Sequence, residues 1–275
     1  MAMTADAIGA IAAEILAASD AVSSIQPLSR RVAGFGLPEA YAVATEVVRR
    51  RVARGERRIG WKIGFTNVTI WDEYDVHGPI WGPMYDTTMR AVDPATAKRA
   101  DLGMLAEPRI EPEIAFRFAA APDPSMDEAA LLDCIDGVAH GFEIVQSLYP
   151  QWKFAAAYTV AAFALHGRYF CGPFMSVASN EDRRRWLALL AKFEIALTCD
   201  GRAVDRGQGT TVLGGPLTAL GHFVRGLAQA TGERVAAGDI VTTGTITRAF
   251  PVVSGQRWAS AVAGLPLPGL ELLIA

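Results

Sequence analysis

The sequence predicts an α+β fold, and three observations predict it. Residues 4 to about 58 read as helical; from Ile59 the texture changes to short β-prone runs punctuated by Gly and Pro; and strands and helices in that second part do not alternate regularly, which argues against a doubly wound parallel sheet. The expected division is a helical N-terminal region, residues 1–58, followed by a β-rich region, residues 59–275.

The helical region breaks around Gln26-Pro27 and again at residues 34–38. Its last stretch, residues 38–52, closes on Arg49-Arg50-Arg51-Val-Ala-Arg54-Gly-Glu-Arg57-Arg58. Cations at a helix C-terminus suit the helix dipole, so a solvated helix end is the plainer reading and anion binding the alternative. The Ala-rich N-terminus carries Asp6 and Glu14 and has no basic n-region, unlike a signal peptide.

Beyond residue 59 the β-prone runs include residues 60–65, 110–118, 193–199 and 239–243. Three helical stretches interrupt them. Residues 126–135 have an acidic first turn, Asp127 and Glu128. Residues 180–190 open on Asn180 as a capping residue, with Glu181 and Asp182 in the first turn. Residues 216–231 end at Gly232, a C-cap.

The chain of 275 residues, 51% apolar and 20% charged, has ample core material. Its net charge of −3 argues against a nucleic-acid surface. No uninterrupted apolar run reaches the roughly 18 residues of a membrane span. Cys134, Cys171 and Cys199 show no metal-binding spacing and read as reduced thiols in a cytoplasmic protein. No Gly-rich phosphate loop opens a helix after a strand.

The chemistry begins at Glu107-Pro-Arg-Ile-Glu-Pro-Glu-Ile-Ala-Phe116. As a strand it points Ile110, Pro112, Ile114 and Phe116 to one face and Arg109, Glu111 and Glu113 to the other. The two carboxylates then lie about 7 Å apart at the backbone. A third acid, Glu143, sits between Phe142 and Ile144 in another β-prone run. Three convergent carboxylates raise one another's pKa unless a cation neutralises them. A hard divalent ion, Mg²⁺ or Mn²⁺, is the natural partner, leaving octahedral positions for water or substrate. Three unrelated acids on solvated strands are the alternative, and spacing does not choose between them.

Five blocks occur in order: Gly60-Trp-Lys-Ile-Gly-Phe-Thr66, Trp81-Gly-Pro-Met-Tyr-Asp86, Arg109-Ile-Glu-Pro-Glu-Ile-Ala-Phe116, Phe142-Glu-Ile-Val-Gln-Ser147 with Trp152-Lys153, and Gly238-Asp-Ile-Val-Thr-Thr-Gly-Thr245. Weak singly and specific jointly, they resemble the hydratase/decarboxylase branch of the fumarylacetoacetate hydrolase superfamily, from about residue 38 to the C-terminus. The resemblance implies a β-rich core built as a twisted roll, a homo-oligomer, and a divalent metal on Glu111, Glu113 and Glu143. It also implies a small 2-oxo acid or dienol substrate, chelated through its carboxylate and adjacent carbonyl, with the metal as Lewis acid stabilising an enolate. No nucleic acid or membrane partner is expected.

Lys62 matches the family's Gly-x-Lys-x-Gly lysine and is expected to relay protons with a lowered pKa; a surface lysine is its bland alternative. Asp86 is the expected proton-transfer partner, or the group that orients Lys62. Lys153 and Thr245 are candidates for binding substrate, with turn or packing roles as alternatives. Residues 67–81 mix aromatics and acids and are expected to fold over a pocket. Within them Glu73 and His77 could form a water-activating pair, but Gly78-Pro79 opposes the helix their spacing needs. His140 and His166 read as satisfied structural histidines.

The chain departs from the family where a Thr-Val-Ala-Asp-Asn segment is usual and Thr159-Val-Ala-Ala162-Phe163 stands instead. Phe163 is therefore expected to make the distal pocket apolar and favour alkyl or aryl tails. The reading is a metal-dependent lyase hydrating a 2-hydroxydienoate. Decarboxylation of a 2-oxo-enedioate follows, with Arg109 or Arg248 receiving the second carboxylate, and then hydrolytic C–C cleavage. A non-catalytic structural partner of a related enzyme is the competing class.

Overall fold

The computed structural model describes residues 3–74 and 76–275; of Ser29, Glu73 and Tyr74 only the backbone is described. The fold is α+β, as expected. The chain begins with α1 (Ala5–Asp20) and α2 (Leu37–Ala53), then runs β1 (Arg58–Gly64), a single helical turn α3 (Trp71–Tyr74), β2 (Ile80–Tyr85), β3 (Met89–Ala91), β4 (Lys98–Ala100) and β5 (Arg109–Phe118). Next come α4 (Glu128–Asp133), β6 (Ile135–Val145), α5 (Ala156–Ala161), β7 (His166–Cys171), β8 (Met175–Ser176), α6 (Asn180–Leu190), β9 (Glu194–Cys199) and β10 (Arg202–Gln208). The chain closes with α7 (Pro216–Thr231), β11 (Ile240–Thr245), β12 (Phe250–Pro251), β13 (Arg257–Ala263) and β14 (Glu271–Ile274).

The strands form two sheets. The larger has the order β2-β1-β11-β5-β6-β7-β3, with β12 on β5 and β8 on β6; the smaller has the order β10-β9-β13-β14-β4. Strand parity separates the larger sheet's faces. Ile63, Ile114, Phe116 and Val241 join a core with Leu217, Leu220, Phe223, Val224 and Leu227 of α7. Full burial of each such side chain contributes about 1.5–3 kcal/mol. The opposite face presents Lys62, Glu113 and Glu143 among small residues, Ala115, Ala139 and Gly141.

Helices α1 and α2 bury Ile11, Ile15, Leu16, Val43 and Val47 in a second cluster, shared with Ile80 of β2 and with Val160 and Ala161 of α5. The N-terminal helices thus brace the strands that carry the site. Thr4 Oγ1 caps α1 by accepting from the Ala7 N–H at 3.3 Å. The arginines that close α2 are dispersed over nearby acids: Arg49 and Arg50 on Glu46, Arg51 on Glu56 at 2.6 Å, Arg54 on Asp20 at 2.9 Å. The helix end is solvated except at Arg51, which packs over the Tyr85 ring at 3.9 Å.

Two helix starts differ from expectation. Ser179, not Asn180, caps α6: its Oγ accepts from the Asp182 N–H at 3.0 Å while the Asp182 carboxylate takes the Ser179 N–H at 3.1 Å. Helix α4 starts two residues late because Asp127 acts as its cap, accepting from the Ala130 N–H at 2.9 Å. Helix α7 stops at Gly232, whose φ of +73° is left-handed. No helix among the described residues is long and apolar enough to cross a membrane.

Candidate metal centre and active site

The antiparallel register of β5 and β6 places Glu111 opposite Glu143 and Glu113 opposite Gly141. One carboxylate oxygen from each of Glu111, Glu113 and Glu143 lies within 4.8 Å of the others. Glu113 and Glu143 are fully buried, whereas Glu111 faces a cleft. Glu113 Oε2 accepts the Gly244 N–H at 3.1 Å. Gly244 has φ +91°, and a Cβ there would stand 2.0 Å from Thr66 Oγ1, so that approach requires glycine.

Glu113 Oε1 is buried and accepts no hydrogen bond among the described residues, and Glu143 Oε2, equally buried, faces the Lys62 ammonium at 3.1 Å. Uncompensated anionic oxygens are costly in a protein interior. Burial, then the neighbouring Glu143, pushes Glu113 well above the usual carboxylate range. Burial raises Glu111 to about 7, with Lys62 opposing and Glu143 adding to the rise. Burial also acts upward on Glu143, but Lys62 and the His166 hydrogen bond outweigh it and hold that carboxyl low. Convergent carboxylates with an orphaned buried oxygen on Glu113 fit a hard divalent cation, which Glu111, Glu113 and Glu143 would hold.

Lys62, 2% exposed, enters from β1. Its Nζ stands 3.1 Å from Glu143 Oε2 and donates to the Ala164 carbonyl at 3.1 Å. The expected lowering of its pKa is not what this arrangement produces. Burial, the largest influence, acts downward, yet Glu143, Glu111 and Glu113 together raise the ammonium's pKa above the usual lysine value. The Ala164 carbonyl is aimed by an unusual turn: Phe163, Ala164 and Leu165 have φ of +61°, +50° and +65°. Left-handed backbone costs roughly 1–2 kcal/mol per L residue. Gly82 makes room for the turn, since a Cβ there would lie 2.7 Å from the Phe163 carbonyl oxygen.

A cleft of about 80 Å³ opens above these groups. Phe65, Ile70, Ile80, Val145, Trp152, Phe154 and Leu165 give it apolar walls; Lys62, Glu111, Arg109, Asn67 and Thr245 give it polar points. The Arg109 guanidinium stacks 4.2 Å over the Trp152 ring and has no carboxylate at ion-pair distance among the described residues. The segment between β1 and β2 contributes Asn67 and Ile70 to the cleft, in keeping with a pocket cover. Trp71 Nε1 ties it down by donating to the Phe65 carbonyl at 2.8 Å. The Glu73–His77 pairing lies outside the described residues, because it needs the Glu73 side chain.

Several expected residues are not gathered here. Asp86 is exposed: its carboxylate accepts from the Arg57 N–H at 3.1 Å and faces Arg57 Nε at 3.7 Å. Lys62 pairs with Gly82, four residues back, so about 13 Å of extended chain separates Asp86 from it. Lys153 is exposed and does not line the cleft. Phe163 is buried in the cluster under the N-terminal helices, so the cleft's apolar character comes from other residues. Arg248 is exposed and faces Asp205 at 3.5 Å. Thr245 does line the cleft, although its hydroxyl donates to the Thr247 carbonyl at 2.9 Å.

His140 is a satisfied structural histidine, between the Glu113 carbonyl at 3.0 Å and Ser260 Oγ at 2.7 Å. His166 is more than that. Its Nδ1 lies 2.8 Å from Glu143 Oε1 and its Nε2 2.8 Å from Thr88 Oγ1. Spacing could not have shown this. Tyr169 pairs with Glu143, and strict alternation would turn His166 to the other face; a register slip pairs His166 with Val145 and returns it to the site.

No family model matches the sequence. Among curated proteins the chain is 30% identical to 4-oxalocrotonate decarboxylase of Pseudomonas sp. strain CF600 over 265 residues, 96% of each chain. It is 29% identical to 2-hydroxyhexa-2,4-dienoate hydratase of Comamonas testosteroni over 243 residues, 88% of each. Among solved structures, 4-oxalocrotonate decarboxylase from Pseudomonas putida G7, complexed with magnesium and adipate, superimposes with a TM-score of 0.90 at 27% identity over 99% of both chains. A fumarylacetoacetate hydrolase family protein from Yersinia pestis CO92 shares the fold, with a TM-score of 0.56 at 17% identity over 78% of this chain and 92% of that one.

Proposed function

The chain belongs to the hydratase/decarboxylase branch of the fumarylacetoacetate hydrolase superfamily, and from that premise we propose that it is a divalent-metal-dependent hydratase of a 2-hydroxydienoate. It is an enzyme of the lyase type, and its cofactor class is a divalent cation. The observation that carries the reading is the convergence of Glu111, Glu113 and Glu143 beside a buried lysine at the floor of an apolar cleft. An all-carboxylate donor set favours Mg²⁺ or Mn²⁺ over softer ions.

When bound, the cation supplies Lewis-acid polarisation of the carboxylate and adjacent oxygen of a 2-oxo acid. The chain's own residues do the rest. Lys62 presents an ammonium proton at the cleft floor, held in place by the Ala164 carbonyl and Glu143. In hydration the dienol gives up its hydroxyl proton and gains one at its far carbon; water then adds hydroxide to C4 and a proton to C3. Thr245, at the cleft edge, would turn its hydroxyl from the Thr247 carbonyl to the substrate carboxylate. The aromatic walls, Phe65, Trp152 and Phe154, would give the substrate's tail an apolar surface.

Decarboxylation of a 2-oxo-enedioate is the second reading, favoured by Arg109: a cleft-lining cation without a carboxylate partner among the described residues would suit a second carboxylate. The unpaired Cys134, Cys171 and Cys199 support a cytoplasmic location, and a homo-oligomer rests on the family resemblance alone. The test is to strip the protein of metal, restore Mg²⁺ or Mn²⁺, and follow loss of the dienol absorbance of 2-hydroxyhexa-2,4-dienoate. CO₂ release from 4-oxalocrotonate is followed in parallel. Metal-dependent loss of the dienol without CO₂ supports the hydratase. CO₂ release alone supports the decarboxylase, and neither signal with any divalent metal sinks both.

A further inference from the structure

We propose that His166 is a positioning residue for the metal centre: it fixes the rotation of the Glu143 carboxylate so that Oε1 is held away and Oε2 faces the other two acids and Lys62. This rests on the metal-site reading above and goes beyond it, since a second set of residues is assigned to the site.

The terminal torsion of a glutamate is broad, so a buried carboxylate needs an external constraint to present one chosen oxygen. Lys62 does not supply it. Its Nζ stands 3.1 Å from Glu143 Oε2, but an ammonium is a rotatable point charge that would take either oxygen of the carboxylate. The directed contact on Glu143 is at the other oxygen, where His166 Nδ1 lies at 2.8 Å. A carboxylate can only accept, so Nδ1 donates.

The imidazole is itself clamped. Nε2 meets Thr88 Oγ1 at 2.8 Å, and Thr88 is anchored in the β2–β3 turn, where its hydroxyl oxygen accepts from the Tyr85 N–H at 3.1 Å. With His166 2% exposed and Glu143 fully buried, neither end of the pair can exchange its partner for water. His166 also follows directly on the left-handed turn whose Ala164 carbonyl holds Lys62. One short segment, residues 164–166, therefore sets both partners of the Lys62–Glu143 contact. The register slip between β6 and β7 is what delivers the ring to this face.

The test separates the two ring nitrogens and reads Mn²⁺ binding alone, by titration calorimetry or by the paramagnetic resonance of the free ion. His166→Asn places an amide N–H near the position of Nδ1 and keeps the bond to Glu143. His166→Gln places its amide near Nε2, where the amide oxygen can accept from Thr88, and keeps only that bond. We expect Asn to bind Mn²⁺ within about 3-fold of wild type, and Gln and Ala to bind about 10–100-fold more weakly, the usual loss when a ligand's orienting partner is removed. Equal affinities for Gln and wild type overturn the proposal, and so does an Asn variant as weak as Gln. A wild type that binds no Mn²⁺ overturns the metal reading itself, and the proposal with it. If the His166 variants do not fold, Thr88→Val decides: a several-fold loss of Mn²⁺ affinity supports the clamp, and unchanged affinity overturns it.

Discussion

Lys62 Nζ and Glu143 Oε2 stand 3.1 Å apart in the interior, an ammonium against a carboxylate that also belongs to a three-acid cluster. Lys62 touches both the acids and the cleft, and so separates chemistry from binding. Lys62→Met, with a stem of similar length, should keep Mn²⁺ affinity and much of the affinity for a 2-oxo acid, while kcat falls about 10²–10⁴-fold. Near-normal kcat would make the lysine a bystander. Loss of metal together with activity would make it a support for the acids.

Glu113→Gln should weaken Mn²⁺ binding at least about 100-fold, because it removes one of three charged donors. The metal-free variant should melt no lower than the metal-free wild type, since a buried carboxylate with one unpartnered oxygen is replaced by a neutral amide. Calorimetry gives both quantities, and equal Mn²⁺ affinity in the two proteins would remove Glu113 from the ligand set.

Metal binding should depend on pH through Glu111. Its carboxyl is raised in the folded protein to about 7, from the usual value of 4.5. Between those values the folded chain binds more protons than the unfolded chain, so metal-free stability should fall as pH rises across that window. A cation takes only the ionised form. Mn²⁺ affinity should therefore climb by up to about tenfold per pH unit toward 7 and then flatten with respect to this group. Melting temperatures with and without Mn²⁺, measured from pH 5 to pH 8, check the sign; affinity that fell as pH rose would contradict it.

Arg109 gives a test of substrate range. Arg109→Gln should raise KM for a 2-oxo-enedioate about 100-fold or more, through loss of a charge-assisted partner in a largely apolar cleft, and change KM for an uncharged-tail dienoate by less than about 3-fold. Equal effects on both substrates would make Arg109 a packing residue on Trp152.

Much of this was legible in the chain itself. Period-2 alternation through residues 109–116 put both glutamates on one face, as the β5–β6 register bears out, and helix α7 ended at Gly232 as its glycine indicated. What stayed hidden was set by non-local geometry. The departure at Ala162-Phe163 suggested a changed pocket, yet three consecutive left-handed residues turn that segment so that Phe163 enters the helical cluster while Ala164 and Leu165 meet the cleft. Asp86 matched a motif, but its side chain ends on Arg57 at the surface. His166 depended on a register slip that no spacing rule contains.

The larger sheet also divides the chain's capacity for change. The acids sit on β5 and β6, paired on both sides by neighbouring strands, where a one-residue slip would turn every side chain to the wrong face. The cleft walls are carried mostly by connections, Phe65 to Ile70 on one side and Trp152 to Leu165 on the other. Natural selection for a new substrate can thus revise the walls residue by residue while the reaction's machinery is inherited unaltered. Descendants of one ancestor would then diverge first in what they accept and last in what they do to it.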